Sequence, residues 1–197
     1  MLVLASTSPR RIELLQGADV DFTTLSVVID ETWQAGELPD DYIVRMVQSK
    51  ALKASERVAT ALVLTADTIG VLDGEVLTKP KDKADAFRMW DKLSNNTHQI
   101  WTAVCVSDVQ NGQIVRQQTI KVATAVTFVE LTDQQKERYW ASGEPVDKAG
   151  AYAIQGGAMA WVKSITGSYT NVVGLPLAQT LALLDGFNNH TSCPKAF

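Results

Sequence analysis

The feature that most constrains the fold is a pair of long strand-like segments, residues 98–109 and 113–129, joined by Asn111-Gly112. A two-residue connection of this type favours a type I′ turn, whose twist matches that of two antiparallel strands. A shorter hairpin of the same kind is predicted around Asp73-Gly74, which has apolar residues on both sides. The later part of the chain is therefore expected to form antiparallel strands.

The first part of the chain alternates between short apolar segments and helical patterns. Residues 2–5 and 61–66 are apolar or small and predict buried strands. Ser8-Pro9 predicts the start of a helix that ends at Gly17, because serine caps free amides and proline suits the first helical position. Apolar residues recur at helical spacing over residues 40–58. Further helices are predicted at residues 82–93, 132–142 and 176–187.

These elements predict a mixed α/β fold, in which helices flank one mixed sheet. A chain of 197 residues buries enough surface to fold without a structural metal or a disulfide. We expect a single domain over residues 1–197, built as two lobes around a central cleft. The polar tail from about residue 187 is expected to be flexible.

The composition excludes several classes of protein. The chain has 22 acidic and 18 basic side chains, and its net charge of −4 argues against a protein that coats nucleic acid. No apolar run approaches the roughly 20 residues that span a bilayer, and the N-terminus lacks the pattern of a secretory signal. Two cysteines and two widely separated histidines form neither a disulfide framework nor a zinc site. We therefore expect a cytoplasmic protein with no membrane or nucleic-acid partner.

The segment Ser6-Thr7-Ser8-Pro9-Arg10-Arg11 places hydroxyl groups and two arginines where a strand meets the start of a helix. Free amides and the helix dipole favour an anion there, and guanidinium groups match phosphate oxygens. A capped helix with two solvated arginines explains the same residues equally well. The segment is thus a candidate phosphate site.

Two lysine positions are candidates for neutralising phosphate charge. Lys50 shares the apolar stripe of its predicted helix, so its ammonium group either reaches the helix edge or projects into a polar cleft. Lys79-Pro80-Lys81 follows the shorter hairpin, and a solvated pair of lysines is the simpler interpretation of that segment.

Two acidic positions are candidates for metal binding and for activating water. Asp67 follows six apolar or small residues, at the predicted carboxyl end of a strand, where α/β sheets usually place their sites. A buried carboxylate needs a cation or hydrogen-bond donors, although an aspartate that caps a turn also fits this position. Glu31, beside Asp30, is a candidate second ligand for a hard divalent cation. Acidic side chains together with the arginine and lysine side chains suit the binding of a triphosphate and the activation of water.

Several sequence blocks occur in an order that is typical of one family. They are Ser6–Arg11 with Glu13-Leu14-Leu15, Asp30-Glu31-Thr32, Lys50-Ala51, Ala66-Asp67-Thr68, Lys79-Pro80, Asp147–Tyr152, Ile154-Gln155-Gly156, Gly167-Ser168-Tyr169 and Asn171–Leu177. The blocks cover nearly the whole chain, which resembles the Maf family of nucleoside triphosphate pyrophosphatases. One departure is Thr78, at a position where the family often has glycine.

This resemblance implies hydrolysis between the α- and β-phosphates of a nucleotide. It also implies a fold similar to that of inosine triphosphate pyrophosphatases, a divalent cation (Mg²⁺ or Mn²⁺), a homodimer and a house-cleaning role in the cytoplasm. Asp67 would be the general base and would bind the metal together with Glu31. The residues that would hold the phosphates are Arg11, Lys50 and Lys79, with Ser6 nearby. The substrate-binding positions that separate the subfamilies are Arg10, Thr68 and Gln155.

The residues at these three positions resemble the branch of the family that acts on dTTP and UTP. An amide such as that of Gln155 both donates to and accepts from a pyrimidine edge. The alternative within the family is a pyrophosphatase for 7-methyl-GTP or another modified nucleotide. The alternative from another class is a nucleotide-binding regulator of cell division (septum formation), which would need neither Asp67 nor a metal. We expect the dTTP/UTP pyrophosphatase, acting against non-standard pyrimidine nucleotides.

Overall fold

The computed structural model describes residues 1–188 of the chain. In this part, seven strands form one sheet in the order β2-β1-β3-β5-β6-β7, with β4 paired to β3. The strands are β1 (Leu2–Leu4), β2 (Phe22–Thr24), β3 (Thr60–Leu72), β4 (Glu75–Leu77), β5 (Thr97–Gln110), β6 (Gln113–Phe128) and β7 (Val162–Thr166). The helices are α1 (Pro9–Gln16), α2 (Pro39–Ser55), α3 (Lys83–Leu93), α4 (Asp133–Ala141), α5 (Tyr169–Val173) and α6 (Leu177–Asn188). The predicted mixed α/β fold with flanking helices is confirmed.

The chain divides into two compact units. The first unit comprises Met1–Asp67, Ala103–Lys121 and the chain from Gly174 onward, and the second comprises Thr68–Thr102 and Val122–Val173. The boundaries fall within β3, β5 and β6, so each of these strands contributes residues to both units. A single domain with a central cleft stays a prediction, and the predicted flexible tail lies almost entirely outside the described residues.

The first unit is built around parallel strands. Strand β1 lies between β2 and β3 and runs parallel to both. Helix α1 begins at Pro9, whose fixed φ suits the first helical position. The core of this unit includes Leu4, Leu15, Leu64 and Leu175, all of them fully buried. Burial of these side chains holds α1 and α6 against the strands.

The second unit has an aromatic core. Its aromatic members include Trp90, Phe128, Tyr139, Tyr152 and Trp161, which lie within one cluster of buried side chains. Several ring pairs meet edge to face, as in the Trp90–Trp161 pair with ring centroids 5.3 Å apart and planes at 79°. Helix α4 begins with the predicted capping box, in which the side chain of Thr132 accepts from the backbone of Gln135 and the side chain of Gln135 accepts in return.

Both predicted hairpins form. Strands β3 and β4 are antiparallel on either side of Asp73-Gly74. Asp73 and Gly74 have φ values of 51° and 82°, and Asn111 and Gly112 have φ values of 52° and 74°. Two successive residues with positive φ are what a type I′ turn requires, and aspartate, asparagine and glycine adopt this conformation at low cost.

Two predictions about local structure are wrong. Strand β3 continues to Leu72 instead of ending at Ala66, so Asp67 lies inside the strand rather than at its carboxyl end. The strand continues because the residues after Asp67 are again mostly apolar and buried. Ser8 precedes α1, but its side chain makes no cap hydrogen bond, and its backbone N–H instead donates to Oγ of Ser6 at 3.2 Å.

Near the end of the chain, the sequence predicts the elements less well. Short 3₁₀ segments, which the sequence does not predict, lie at Ala149–Ala151 and Gly157–Trp161, directly before β7. The short helix α5 was not predicted at all, because five residues are too few to show helical periodicity. None of the helices described in the structure is long and apolar enough to cross a membrane.

Candidate active site

Three charged side chains meet in the first unit. The Nζ atom of Lys50 lies 2.8 Å from Oδ1 of Asp67 and 3.0 Å from Oε1 of Glu31. Lys50 belongs to α2, Asp67 to β3, and Glu31 to the loop between β2 and α2. One ammonium group therefore bridges two carboxylates from different elements. We call Glu31, Lys50 and Asp67 the charged triad.

Helix α2 directs Lys50 toward the carboxylates. Its buried residues, which form the apolar face of the helix, are Ile43, Met46, Val47, Ala51, Ala54 and Ser55. Lys50 lies next to this face, and its side chain is only 12% exposed. The sequence left open whether the ammonium group of Lys50 reaches the helix edge or projects toward polar groups. In the structure it contacts polar groups. Such a buried ammonium group needs compensating charge, which the two carboxylates provide.

Strand β3 and helix α2 are joined directly beside Asp67. The hydroxyl of Thr65 is fully buried and donates to the carbonyl oxygen of Val47 at 2.8 Å. This bond ties the strand to the helix two residues before Asp67 and three residues before Lys50. The side chain of Asp67 is 18% exposed, so it has limited access to solvent. The Lys50–Asp67 contact therefore joins two regular elements that are also packed together.

Glu31 is placed differently, because its loop has no regular structure and its side chain is 60% exposed. Two side chains of α2 contact the main chain of this loop. The Tyr42 hydroxyl donates to the carbonyl oxygen of Glu31 at 3.1 Å. Nη2 of Arg45 donates to the carbonyl oxygen of Thr32 at 3.0 Å. Helix α2 thus supplies both Lys50 and the contacts that hold the segment carrying Glu31.

Arg11 brings further positive charge to this part of the first unit. Its Nε donates to the carbonyl oxygen of Gly174 at 2.8 Å, and Nη1 lies 3.4 Å from Oγ of Ser6. Burial lowers the pKa of Arg11 below its usual value. The charges of Asp67 and Glu31 oppose this change, and the charge of Arg10 adds to it, so these residues lie within electrostatic reach of Arg11.

The first unit therefore brings six of the predicted site residues together. They are Ser6, Arg10, Arg11, Glu31, Lys50 and Asp67. These residues are far apart in the sequence. They come together because each belongs to an element of the first unit or lies next to one. Their meeting is what a site that binds an anion and activates water requires.

The donor set of the charged triad fits a hard divalent cation that also takes ligands from its substrate. Within residues 1–188, no group of three or more histidine, cysteine or acidic side chains is arranged to hold a metal ion. Magnesium, however, is commonly bound by one or two carboxylates together with phosphate oxygens and water. Glu31 and Asp67 already converge on a cationic group in this structure. These two residues are therefore the ones that fit the ion.

The remaining predicted site residues lie in the second unit. Oγ1 of Thr68 is 2.9 Å from Oγ1 of Thr102, whose hydroxyl donates to the carbonyl oxygen of Asn171 at 3.0 Å. Since the Thr102 hydroxyl has a single proton, Thr68 is the donor in their shared bond. Lys79 and Gln155 are exposed side chains of this unit. Their contacts with a substrate stay predictions.

Sequence reasoning missed three features of the first unit, namely Tyr42, Arg45 and the carbonyl group of Gly174 that anchors Arg11. All three act through main-chain groups, which leave no trace in residue type. Tyr42 and Arg45 do stand on the helix that carries Lys50, three residues apart and so on neighbouring positions of its surface. That spacing was the one available signal.

Comparison with known proteins shows what the chain as a whole is similar to. A family model for Maf-like proteins matches residues 1–187. The chain is 48% identical to the dTTP/UTP pyrophosphatase of Psychrobacter cryohalolentis, over 95% of this chain and 97% of that protein. It is 47% identical to the dTTP/UTP pyrophosphatase of Pseudoalteromonas atlantica, over 98% and 100% of the two chains. Among solved structures, the Staphylococcus aureus Ham1 protein shares the fold, with a TM-score of 0.50, 13% identity, and coverage of 94% and 98%. The chain therefore belongs to the Maf family.

Proposed function

We propose that the protein is a metal-dependent pyrophosphatase that hydrolyses dTTP and UTP to the nucleoside monophosphate and pyrophosphate. The observation that carries the proposal is the charged triad, in which one ammonium group holds two carboxylates that solvent still reaches. The names of the two dTTP/UTP pyrophosphatases described above support the substrate class. In the cell, the reaction would remove non-standard pyrimidine nucleotides.

The positive groups around the triad support binding of the triphosphate. Arg11 is fixed by two hydrogen bonds, so its guanidinium group is held in one orientation. Arg10 and the first amides of α1 add further groups that attract phosphate at the same place. The two arginines and the first amides of α1 would thus share the charge of one substrate, while the phosphate contact of Lys79 stays a prediction.

The proposed step is attack of water on the α-phosphorus. Asp67 accepts a proton as the water oxygen bonds to phosphorus, and the bond from phosphorus to the bridging oxygen breaks, so that pyrophosphate leaves. Lys50 contacts Oδ1 of Asp67, which leaves Oδ2 for the water. Lys50 also keeps the carboxylate in one orientation throughout the step.

The charge of the triad supports metal dependence. Two carboxylates and one ammonium group leave a net negative charge beside a substrate that is itself an anion. A divalent cation held by Asp67 and Glu31 would offset the charge that develops on the phosphates. Lys50 keeps both carboxylates directed to one place before any ion arrives. Glu31 and Asp67 would therefore supply the protein ligands of a metal site, and the substrate phosphates would supply further ligands.

The proposal places the enzyme in the cytoplasm as a homodimer. Cys105 is a buried free thiol, which suits a reducing compartment. A twofold dimer is the commonest assembly among soluble homo-oligomers. Sedimentation analysis would test this part of the proposal separately.

The proposed reaction is tested by measuring pyrophosphate release from a panel of nucleotides. The panel contains dTTP, UTP, CTP, 7-methyl-GTP and the standard purine triphosphates. Each is incubated with Mg²⁺, with Mn²⁺ and with a chelator. We expect release from dTTP and UTP that stops when the metal is removed.

The other outcomes lead to different conclusions. Preference for 7-methyl-GTP would keep the reaction but overturn the roles given to Arg10, Thr68 and Gln155. Release that persists in chelator would remove the metal from the proposal. No release from any nucleotide would favour the regulator of cell division over an enzyme.

A further inference from the structure

We infer that Tyr42 and Arg45 are positioning residues, which hold the loop between β2 and α2 so that the carboxylate of Glu31 stays on Lys50. The inference rests on the proposed function only in its consequence for catalysis. The contacts themselves belong to the first unit and are independent of the substrate.

The need for such residues follows from the unequal placement of the two carboxylates. Asp67 belongs to a strand that is bonded to α2, whereas Glu31 is on a segment without regular structure. The Glu31 side chain is 60% exposed, against 18% for Asp67. An exposed ion pair between a loop and a lysine is weak by itself, because ordering both side chains costs entropy. Other contacts must therefore fix the loop.

Tyr42 makes one of these contacts at Glu31 itself. Its hydroxyl donates to the Glu31 carbonyl oxygen at 3.1 Å. Its ring stacks on that of Trp33, two residues after Glu31, with centroids 4.4 Å apart and planes at 22°. Tyr42 therefore holds the loop by polar and apolar contacts on both sides of Thr32.

Arg45 makes the second set of contacts, on the following residues. Nη2 donates to the Thr32 carbonyl oxygen at 3.0 Å. Its Nε and Nη2 also pair with the two carboxylate oxygens of Glu37, at 2.5 Å and 2.6 Å. Glu37 in turn accepts the backbone N–H of Gln34 at 3.2 Å. One guanidinium group thus joins two parts of the loop, and a bidentate pair of this kind has a fixed geometry.

The two residues therefore hold successive main-chain carbonyl groups, those of Glu31 and Thr32, from adjacent positions of α2. Lys50 follows Tyr42 by eight residues, about 12 Å along the helix, and long side chains of a helix extend back toward its N-terminus. A single rigid helix thus supplies the fixed points for the loop and the ammonium group for its carboxylate. The position of Glu31 relative to Lys50 is set by this helix.

The experiment is a double-mutant cycle on kcat/KM for dTTP. Tyr42→Phe removes the donor to Glu31 but keeps the ring that stacks on Trp33. We expect it to lower kcat/KM about tenfold, the effect of losing one positioning hydrogen bond. In a Glu31→Gln background the same change is expected to cost less than about twofold, because the carboxylate that it positions is absent. A general loss of packing would cost the same in both backgrounds.

Arg57→Met is the matched control. Arg57 also donates through Nη1 to a carbonyl group of the same loop, that of Ser26, but five residues before Glu31. Arg45→Met, the corresponding change at the proposed position, is expected to lower kcat/KM at least as much as Tyr42→Phe. Arg57→Met is expected to stay within about twofold of the wild type, since its contact holds the loop five residues before Glu31 and not at Glu31 or Thr32. Equal losses in the two arginine variants would overturn the inference.

A second measurement does not depend on activity. Hydrogen exchange of the amides of residues 31–37 is expected to be faster in Tyr42→Phe and Arg45→Met than in the wild type, and unchanged in Arg57→Met. Unchanged exchange in the first two variants would show that they do not hold the loop. If the wild type released no pyrophosphate from any nucleotide, the proposed function would fail, and the exchange data would still decide whether these residues position Glu31.

Discussion

Ionisable side chains have opposite environments in the two units. In the first unit, the ammonium group of Lys50 pairs with the carboxylates of Glu31 and Asp67, and all three side chains retain some contact with solvent. In the second unit, Nε2 of His98 is bonded to the hydroxyl of Tyr152 at 2.6 Å, in a site that solvent barely reaches. Both arrangements pair polar side chains, but only the first leaves charged groups that a substrate can contact.

The surroundings explain the difference. Aromatic rings pack around the second pair, with the ring of Phe128 edge to face against both His98 and Tyr152. Burial lowers the pKa of His98 to about 4 and raises that of Tyr152 far above its usual value, so both are neutral near pH 7. Desolvation thus keeps His98 and Tyr152 neutral where no counter-ion is present, whereas the side chains of the charged triad are in contact with groups of opposite charge. The first arrangement suits catalysis, and the second suits stability.

The largest effect is expected when the charge of Asp67 is removed from the first unit. Asp67→Asn keeps the size of the side chain and an oxygen for Lys50, but it removes the proposed base. Pyrophosphate release from dTTP is expected to fall about a thousandfold, within the range for loss of a general base. The fold should persist, because strand β3 is held by its apolar residues, and a thermal melt would check this.

Asp185→Asn is the control for this prediction. Asp185 is an exposed residue of α6, also in the first unit, and the same chemical change there should leave turnover unaltered. Turnover of Asp67→Asn near that of the wild type would contradict the assignment of the base. It would also contradict the proposed contrast, in which the charged triad of the first unit serves catalysis and the neutral His98–Tyr152 pair of the second unit serves stability.

The next effect concerns the neutral pair of the second unit and is expected under acid. His98 has a pKa of about 4 in the folded protein and 6.5 when unfolded. Between these values the unfolded state binds a proton that the folded state does not, so the free energy of unfolding falls as the pH falls from 6.5 to 4. The loss is about 3 kcal/mol in all, and it does not grow below pH 4. Denaturant unfolding at a series of pH values would measure it.

His98→Phe isolates this contribution from that of the carboxylates. The variant keeps a ring in the aromatic cluster but does not titrate. Carboxylates with lowered pKa values, such as Asp85 and Asp147, destabilise both proteins alike as they are protonated. The expected result is a shallower pH dependence in the variant between pH 6.5 and 4, whatever its stability at pH 7. Parallel curves would mean that folding does not lower the pKa of His98.

The fold was predictable wherever local chemistry decides it. Asn111-Gly112 and Thr132 with Gln135 specify a turn and a helix start through their own backbone preferences, and both form as expected. The end of β3 was not predictable, because a polar residue such as Asp67 interrupts the apolar pattern without ending the strand. Pairing with other strands, which depends on distant residues, decides where a strand stops.

The site was predictable as a set of residue types but not as a set of contacts. Lysine and aspartate in apolar segments indicate chemistry, since burying either charge is costly. That Lys50 would bridge Asp67 and Glu31 depends on how α2, β3 and a loop meet in space. The roles of Tyr42 and Arg45 were beyond prediction for the same reason, because a main-chain carbonyl partner has no sequence signature.

The smallest effect is expected from breaking the neutral pair itself. Tyr152→Phe removes the hydroxyl that bonds His98 and leaves Nε2 of a buried imidazole without its partner. Nδ1 of this imidazole already has no hydrogen-bond partner among residues 1–188. The free energy of unfolding at pH 7 is expected to fall by about 1–2 kcal/mol, as for other buried groups left unpaired. Denaturant unfolding would measure this, and dTTP turnover should stay within about twofold of the wild type, since the pair takes no part in the reaction.

The double variant His98→Phe with Tyr152→Phe sharpens this last contrast. Replacing both partners by apolar rings removes the unpaired groups as well as the bond, so the double variant should be more stable than the sum of the two single losses implies. The corresponding double change in the first unit, at Lys50 and Asp67, would abolish turnover whatever it did to stability. If the double variant of the second unit lost activity while it remained folded, the buried His98–Tyr152 pair would serve the reaction. The contrast between a catalytic cluster in the first unit and a stabilising pair in the second would then be wrong.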